Sequence, residues 1–132
     1  EEVYRQPKNA WVAGFLGMEN LLPGTVTGTD PLVVSSEFGE LAAIASKGMR
    51  FKLESQVTLV MLSLDVEIAD KPFMQNVVRL TVDEAIFKGD HYRTITHCHS
   101  GKVLIINLKS KHEKGDKIAV NLPAENLLAV KN

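Results

Sequence analysis

The chain has 132 residues, 45% hydrophobic and 23% charged, with 15 Lys and Arg against 16 Asp and Glu for a net charge of −1. This much apolar material offsets the entropy of folding and excludes disorder, and the length fits one domain or two very small ones sharing a core. The near-neutral charge is a poor match for a phosphate backbone, and the single cysteine rules out an intrachain disulfide and a multi-cysteine zinc cage.

Residues 1–18 read as helical. Glu1 to Arg5 make a short turn ended by Pro7, which pushes the residue before it out of the α region. A second short helix is expected over 8–17, with Asn9 as its N-cap and Gly17 as its stop; Trp11, Val12 and Phe15 fall on one apolar face. No run of 18 apolar residues exists, and no basic-then-apolar leader opens the chain. The opening on Glu1-Glu2 without an initiator Met reads as a fragment or a processed product.

From Asn20 the pattern turns to β. Short runs rich in Val, Ile, Leu and Thr alternate with Gly, Asp, Asn and Pro, and predict strands over 20–29, 32–36, 39–45, 56–62, 76–87, 92–98, 102–108, 117–122 and 127–130. Ser100-Gly101, Phe38-Gly39 and Lys88-Gly89-Asp90 mark the breaks. No strand is followed by a helix long enough for a crossover, which argues against a parallel sheet. The expected fold is mainly β, a small barrel or sandwich for which OB-like barrels are the natural size.

The β region carries two versions of one plan. Asn20 to Val26 align with Asn76 to Val82, an offset of 56; Val57, Leu59, Met61, Asp65 and Val66 align with Ile118, Val120, Leu122, Asn126 and Leu127, an offset of 61. Repeats of this period mean stacked or intertwined supersecondary units. The lobes are expected at roughly 19–70 and 71–132, separate or intertwined.

There is no phosphate-cradling Gly-x-x-x-x-Gly-Lys-Ser/Thr loop, no Gly-x-Gly-x-x-Gly, no Gly-x-Ser-x-Gly elbow and no His-Glu-x-x-His. His97-Cys98-His99 is the one compact cluster, with His91 and His112 nearby in sequence. On a strand His97 and His99 share a face and offer two ligands to zinc or copper, but Arg93 and Ile95 on that face supply no third. The expectation is no metal: a solvent-facing His pair beside a buried Cys98, which lies across the strand from any activating base. Asp83, Glu84, Asp90, Glu113 and Asp116 border turns and read as caps rather than acid–base pairs. Lys88, Arg93, Lys102, Lys109, Lys111 and Lys114 are spread over the second half with only Phe87 and Tyr92 as stacking platforms, so nucleic acid is not an expected partner.

One string is specific. Glu2-Val3-Tyr4-x-x-Pro7-x-Asn9-x-x-Val12-Ala13-x-Phe15-Leu16-Gly17-x-x-Asn20-Leu21-Leu22-Pro23-Gly24-x-Val26 resembles the junction in ABC-importer ATP-binding subunits where the nucleotide-binding domain ends and a C-terminal TOBE (transport-associated OB) regulatory domain begins. Trp11 stands where that family usually has Phe. Glu84 to Arg93, containing Gly89 and Arg93, and Gly115 to Glu125 resemble later family segments. Leu62-Ser63-Leu64 replaces the family's Arg-Pro-Glu. The resemblance implies TOBE-type barrels over 19–132 behind linker helices in 1–18, with Trp11, Phe15 and Leu16 packing the linker. Asn20, Gly24, Val26, Gly89, Arg93 and Glu125 are its motif positions.

It further implies a non-catalytic regulatory and dimerisation module with no cofactor of its own. ATP and Mg would belong to an ATPase domain outside these residues. The implied partners are a second copy, that ATPase domain and membrane permease subunits, at the cytoplasmic side of the cell membrane without insertion. Sensing of a small solute or oxyanion is the alternative, for which Thr25, Thr27, Ser100 and Lys102 are candidates by type alone. An OB-fold nucleic-acid module is a further, weaker reading.

Overall fold

A computed structural model describes Asn9, residues 20–71 and residues 75–132. The expected helices, and Trp11, Phe15 and Leu16 within them, lie outside the described residues. Asn9 itself forms a parallel bridge with Lys131.

Among the described residues eleven strands and one 3-10 turn follow in order: β1 (Leu21–Thr29), β2 (Leu32–Ser36), β3 (Gly39–Ala42), β4 (Ile44–Ala45), β5 (Gln56–Met61), β6 (Glu67–Ile68), β7 (Val77–Phe87), β8 (Tyr92–His97), β9 (Val103–Leu108), β10 (Lys117–Asn121), the turn Ala124–Asn126, and β11 (Leu127–Lys131). Apart from β6 and the split of 39–45 into two strands, these are the predicted runs with ends shifted by about a residue. Period-2 alternation explains the success: β9 reads exposed, buried, intermediate, buried, intermediate, buried, the pattern of a strand with one face on a core.

The chain divides into two units, 1–62 with 123–132, and 63–122. The boundary therefore falls after Leu62 rather than near residue 70, and the last ten residues belong with the first unit. In the first unit the strand order is β3-β2-β1-β5-β11-β4. Only Ala43 separates β3 from β4, so the sheet curls back on itself. In the second the order is β6-β10-β7-β8-β9, closed by a parallel bridge between Asp65 and Asn107. Closure removes most of the exposed sheet edge, and the five-strand connectivity is that of an OB-type barrel.

The repeat sets the register of both units. Leu21 pairs with Val60 and Thr25 with Gln56; their counterparts Val77 and Asn121, and Thr81 and Lys117, pair likewise. A bulge interrupts β1–β2 between Val26 and Gly28, and β7–β8 between Val82 and Glu84. The backbone bond Glu54 N–H to Val26 O, 2.8 Å, recurs as Gly115 N–H to Val82 O, 2.8 Å.

Each unit takes its fifth strand from the other half of the sequence. β5 is followed by β6, which pairs in the second unit with β10 (Val120 with Ile68, Asn121 with Glu67). β10 is followed by β11, which pairs in the first unit with β5 (Leu128 with Val60) and with β4 (Leu128 with Ile44). Leu62-Ser63-Leu64 is the first of these two connections. This is a reciprocal strand exchange within one chain, the intramolecular relative of a domain swap.

One repeat-related pair differs in strain. Gly115 has φ +92° and its counterpart Glu54 has φ +68°. A side chain in the left-handed region costs about 1–2 kcal/mol that glycine avoids, while glycine loses about 0.5–1 kcal/mol more backbone entropy. Glu54→Gly is therefore expected to raise stability by up to about 1 kcal/mol in urea unfolding.

Candidate functional site

The histidine cluster does not form as the strand reading implies. β8 ends at His97, and Cys98 to Gly101 turn the chain, with Gly101 N–H donating to Cys98 O at 2.8 Å and Gly101 at φ +93°. His99 is thus an exposed turn residue rather than a face-mate of His97. Among the described residues no three His, Cys, Asp or Glu side chains gather as a metal would need. Cys98 is buried, with Sγ 3.1 Å from Ser100 Oγ.

His97 has a different partner. Its Nδ1 lies 2.9 Å from both carboxylate oxygens of Asp83, the extra residue of the β7 bulge. Asp83 stands two residues after Thr81, the cross-strand partner of His97, and so shares its face where the ladder is interrupted. The remaining acids act locally: Asp116 Oδ2 accepts from Glu113 N–H at 2.8 Å, and Asp90 meets the His91 ring at 2.6 Å. His112 Nδ1 lies 3.2 Å from Ser110 O.

The oxyanion candidates are divided between the two units. Thr25 Oγ1 accepts from Gln56 Nε2 at 3.0 Å, and Thr27 donates to Glu40 at 3.1 Å. Ser100 and Lys102 sit in the β8–β9 turn of the other unit. The family-motif positions are also divided between the units. Asn20, Gly24 and Val26 belong to the first unit, where Asn20 is buried and donates to Met61 Sδ at 3.3 Å. Gly89, at φ +102°, caps the β7–β8 hairpin; Arg93 follows on β8; Glu125 is exposed in the 3-10 turn.

Asn76, the repeat counterpart of Asn20, is buried at φ +56° and donates to Leu122 O at 2.8 Å. Asparagine tolerates the left-handed region, and its amide satisfies a buried carbonyl at the barrel's seam. Asn76→Ala is expected to cost about 2 kcal/mol by leaving that carbonyl unpaired in a strained backbone; thermal unfolding reads it.

What the second unit does bring together is a polar row on its outer face. Thr81 pairs with Lys117 on one side and His97 on the other, and His97 with Val103. Leu80, Val82 and Thr96 are buried, so this row points outward. Lys117 Nζ donates to Thr81 Oγ1 at 3.3 Å. Arg79 lies two residues before Thr81 on the same face and is exposed. Composition could not show this row, because it needs cross-strand register; the repeat alignment, read together with strand alternation, contains it.

A cleft lined by Asp65, Glu67, Asp90, His91, Asn107 and Lys109 lies on the same unit, with Asp65 Oδ1 already accepting from Asn107 Nδ2 at 3.0 Å.

The curled sheets, and the strand order of the second unit, define a mainly β fold of the OB type. The comparisons agree. The TOBE domain family matches residues 56–130, and the chain belongs to that family. Three curated relatives are spermidine/putrescine import ATP-binding proteins PotA. That of Spiroplasma citri is 27% identical over 96% of this chain and 34% of its own length; that of Acetivibrio thermocellus is 28% identical over 92% and 32%; that of Clostridium novyi is 28% identical over 99% and 35%. The chain thus spans about a third of the length of these relatives. In fold it is similar to the cytoplasmic molybdate-binding protein ModG, solved with molybdate bound, with a TM-score of 0.73 and 13% identity over 88% of this chain and 98% of that one.

Proposed function

We propose that this chain is the non-catalytic regulatory and dimerisation domain of the ATP-binding subunit of a prokaryotic ABC importer. The observation that carries the reading is the alignment itself: nearly all of this chain matches importer ATP-binding proteins, and occupies only a third of them. The remaining two thirds of such a subunit would hold ATP and Mg and meet the membrane permease, placing this domain at the cytoplasmic face as a peripheral part. The absence of a nucleotide loop in these residues fits that division of labour.

The domain would pair with its twin and keep two ATPase domains at high effective concentration while their nucleotide sites open and close. Apolar side chains left exposed on the second unit, among them Phe87 (61%) and Val103 (54%), supply the kind of surface such pairing uses. Trp11, Phe15 and Leu16 would pack the linker, and Asn20, Gly24, Val26, Gly89, Arg93 and Glu125 would keep the domain's shape. The relatives' names make a polyamine the first solute to test with the whole subunit.

Two measurements test the reading. The reading frame upstream of Glu1 is expected to encode a P-loop and an ABC signature motif; a frame without them overturns the importer assignment. Size-exclusion chromatography with light scattering is expected to give a concentration-dependent dimer; a strict monomer at high concentration removes the pairing role.

A further inference from the structure

We propose that the outer face of the second unit carries a phosphate-binding subsite built from Lys117, Thr81 and His97, with Arg79 beside them. The inference is independent of the importer reading.

The geometry starts from the sheet. Neighbouring strands lie about 4.8 Å apart, so the three Cα positions span about 10 Å across β10, β7 and β8. Lys117 is exposed, and its ammonium lies 3.3 Å from the Thr81 hydroxyl. The His97 ring is pinned through Nδ1 by Asp83 at 2.9 Å, which turns Nε2 away from that carboxylate. An ammonium, a hydroxyl and an imidazole edge therefore share one short row, and Arg79 is on the same face. Asp83 is the acid in contact with the row, and Glu84 follows it on β7. Ammonium and guanidinium charge beside a hydroxyl match a tetrahedral dianion better than a planar monocarboxylate.

The repeat supplies an internal control. The same three positions in the first unit are Gln56, Thr25 and Ser35, with Pro23 in place of Arg79. The scaffold and its hydrogen bond are kept there, since Gln56 Nε2 donates to Thr25 Oγ1 at 3.0 Å, but the cations are gone. Backbone geometry does not require Lys, His and Arg at these places. Their presence in one unit alone points to a ligand rather than to the fold.

The test titrates the isotopically labelled chain with inorganic phosphate and, separately, with glycerol phosphate, at ionic strength held constant with chloride. Saturable NMR shifts are expected at Thr81, His97 and Lys117 and not at Thr25, Ser35 and Gln56. Saturation by the free ion alone identifies inorganic phosphate as the ligand, and saturation by the ester alone identifies a phosphomonoester. Lys117→Gln and His97→Ser install the residues that the first unit already uses, so both are expected to fold, and each should weaken binding about tenfold or more. Shifts that grow linearly with concentration, that chloride reproduces, or that persist unchanged in Lys117→Gln overturn the proposal.

Discussion

Leu128→Ala is expected to destabilise the first unit by about 4 kcal/mol, in the upper part of the range for a buried leucine. Leu128 is fully buried and packs with Val60, Val130 and Leu21. Its strand is bonded on both sides, to β5 and to β4, so the backbone cannot slide in to fill the cavity, and an unfilled cavity gives the large values. A domain holds only about 5–15 kcal/mol in total, so the loss is a large share of the stability of this unit. The repeat provides the contrast. Glu67 occupies the matching position in the second unit, opposite Asn121 as Leu128 is opposite Val60, but it is exposed. Glu67→Ala is expected to change stability by less than about 0.5 kcal/mol. Urea unfolding of the two variants reads the difference, and equal effects would show that β11 is not a core strand.

Gly24→Ala is expected to cost about 3 kcal/mol, although alanine normally suits a strand better than glycine. Gly24 is paired on both edges, with Ser36 and with Val57. A Cβ built there comes 2.5 Å from Val34 Cγ1 and 2.6 Å from Ser35 O. Val34 is fully buried and has no room to turn, and a carbonyl within a paired strand moves only with its ladder. Val34→Ala introduced alongside should recover part of the loss by removing the first clash and leave the second. The two substitutions should therefore be non-additive. A Gly24→Ala variant as stable as the parent would contradict the close approach of β1 and β2.

Strand positions were legible because hydrophobic alternation and turn residues act locally. The repeat offsets went further: shifting Leu21 by 56 and Val60 by 61 gives Val77 and Asn121, a pair that forms. β6 was missed for a physical reason. It is two residues long with both side chains exposed, so it leaves no alternation; only its partner β10 makes it a strand. His99 was misplaced because the turn begins one residue before Ser100-Gly101, and a face assignment fails wherever a strand ends early. The outer row of Lys117, Thr81 and His97 joins residues separated by up to 36 positions, as in the bond between Lys117 and Thr81. No local pattern marks such a row; it exists once register is fixed.

The reciprocal exchange underlies the pairing of positions between units, and with it both the stability contrast and the internal control for the phosphate subsite. Backbone cross-strand NOEs in the labelled chain test it most directly. Contacts are expected between β11 and β5, around Leu128 and Val60, and between β6 and β10, around Glu67 and Asn121. Contacts joining β5 to β6 and β10 to β11 instead would mean that each half closes on its own strand, and would contradict the exchange.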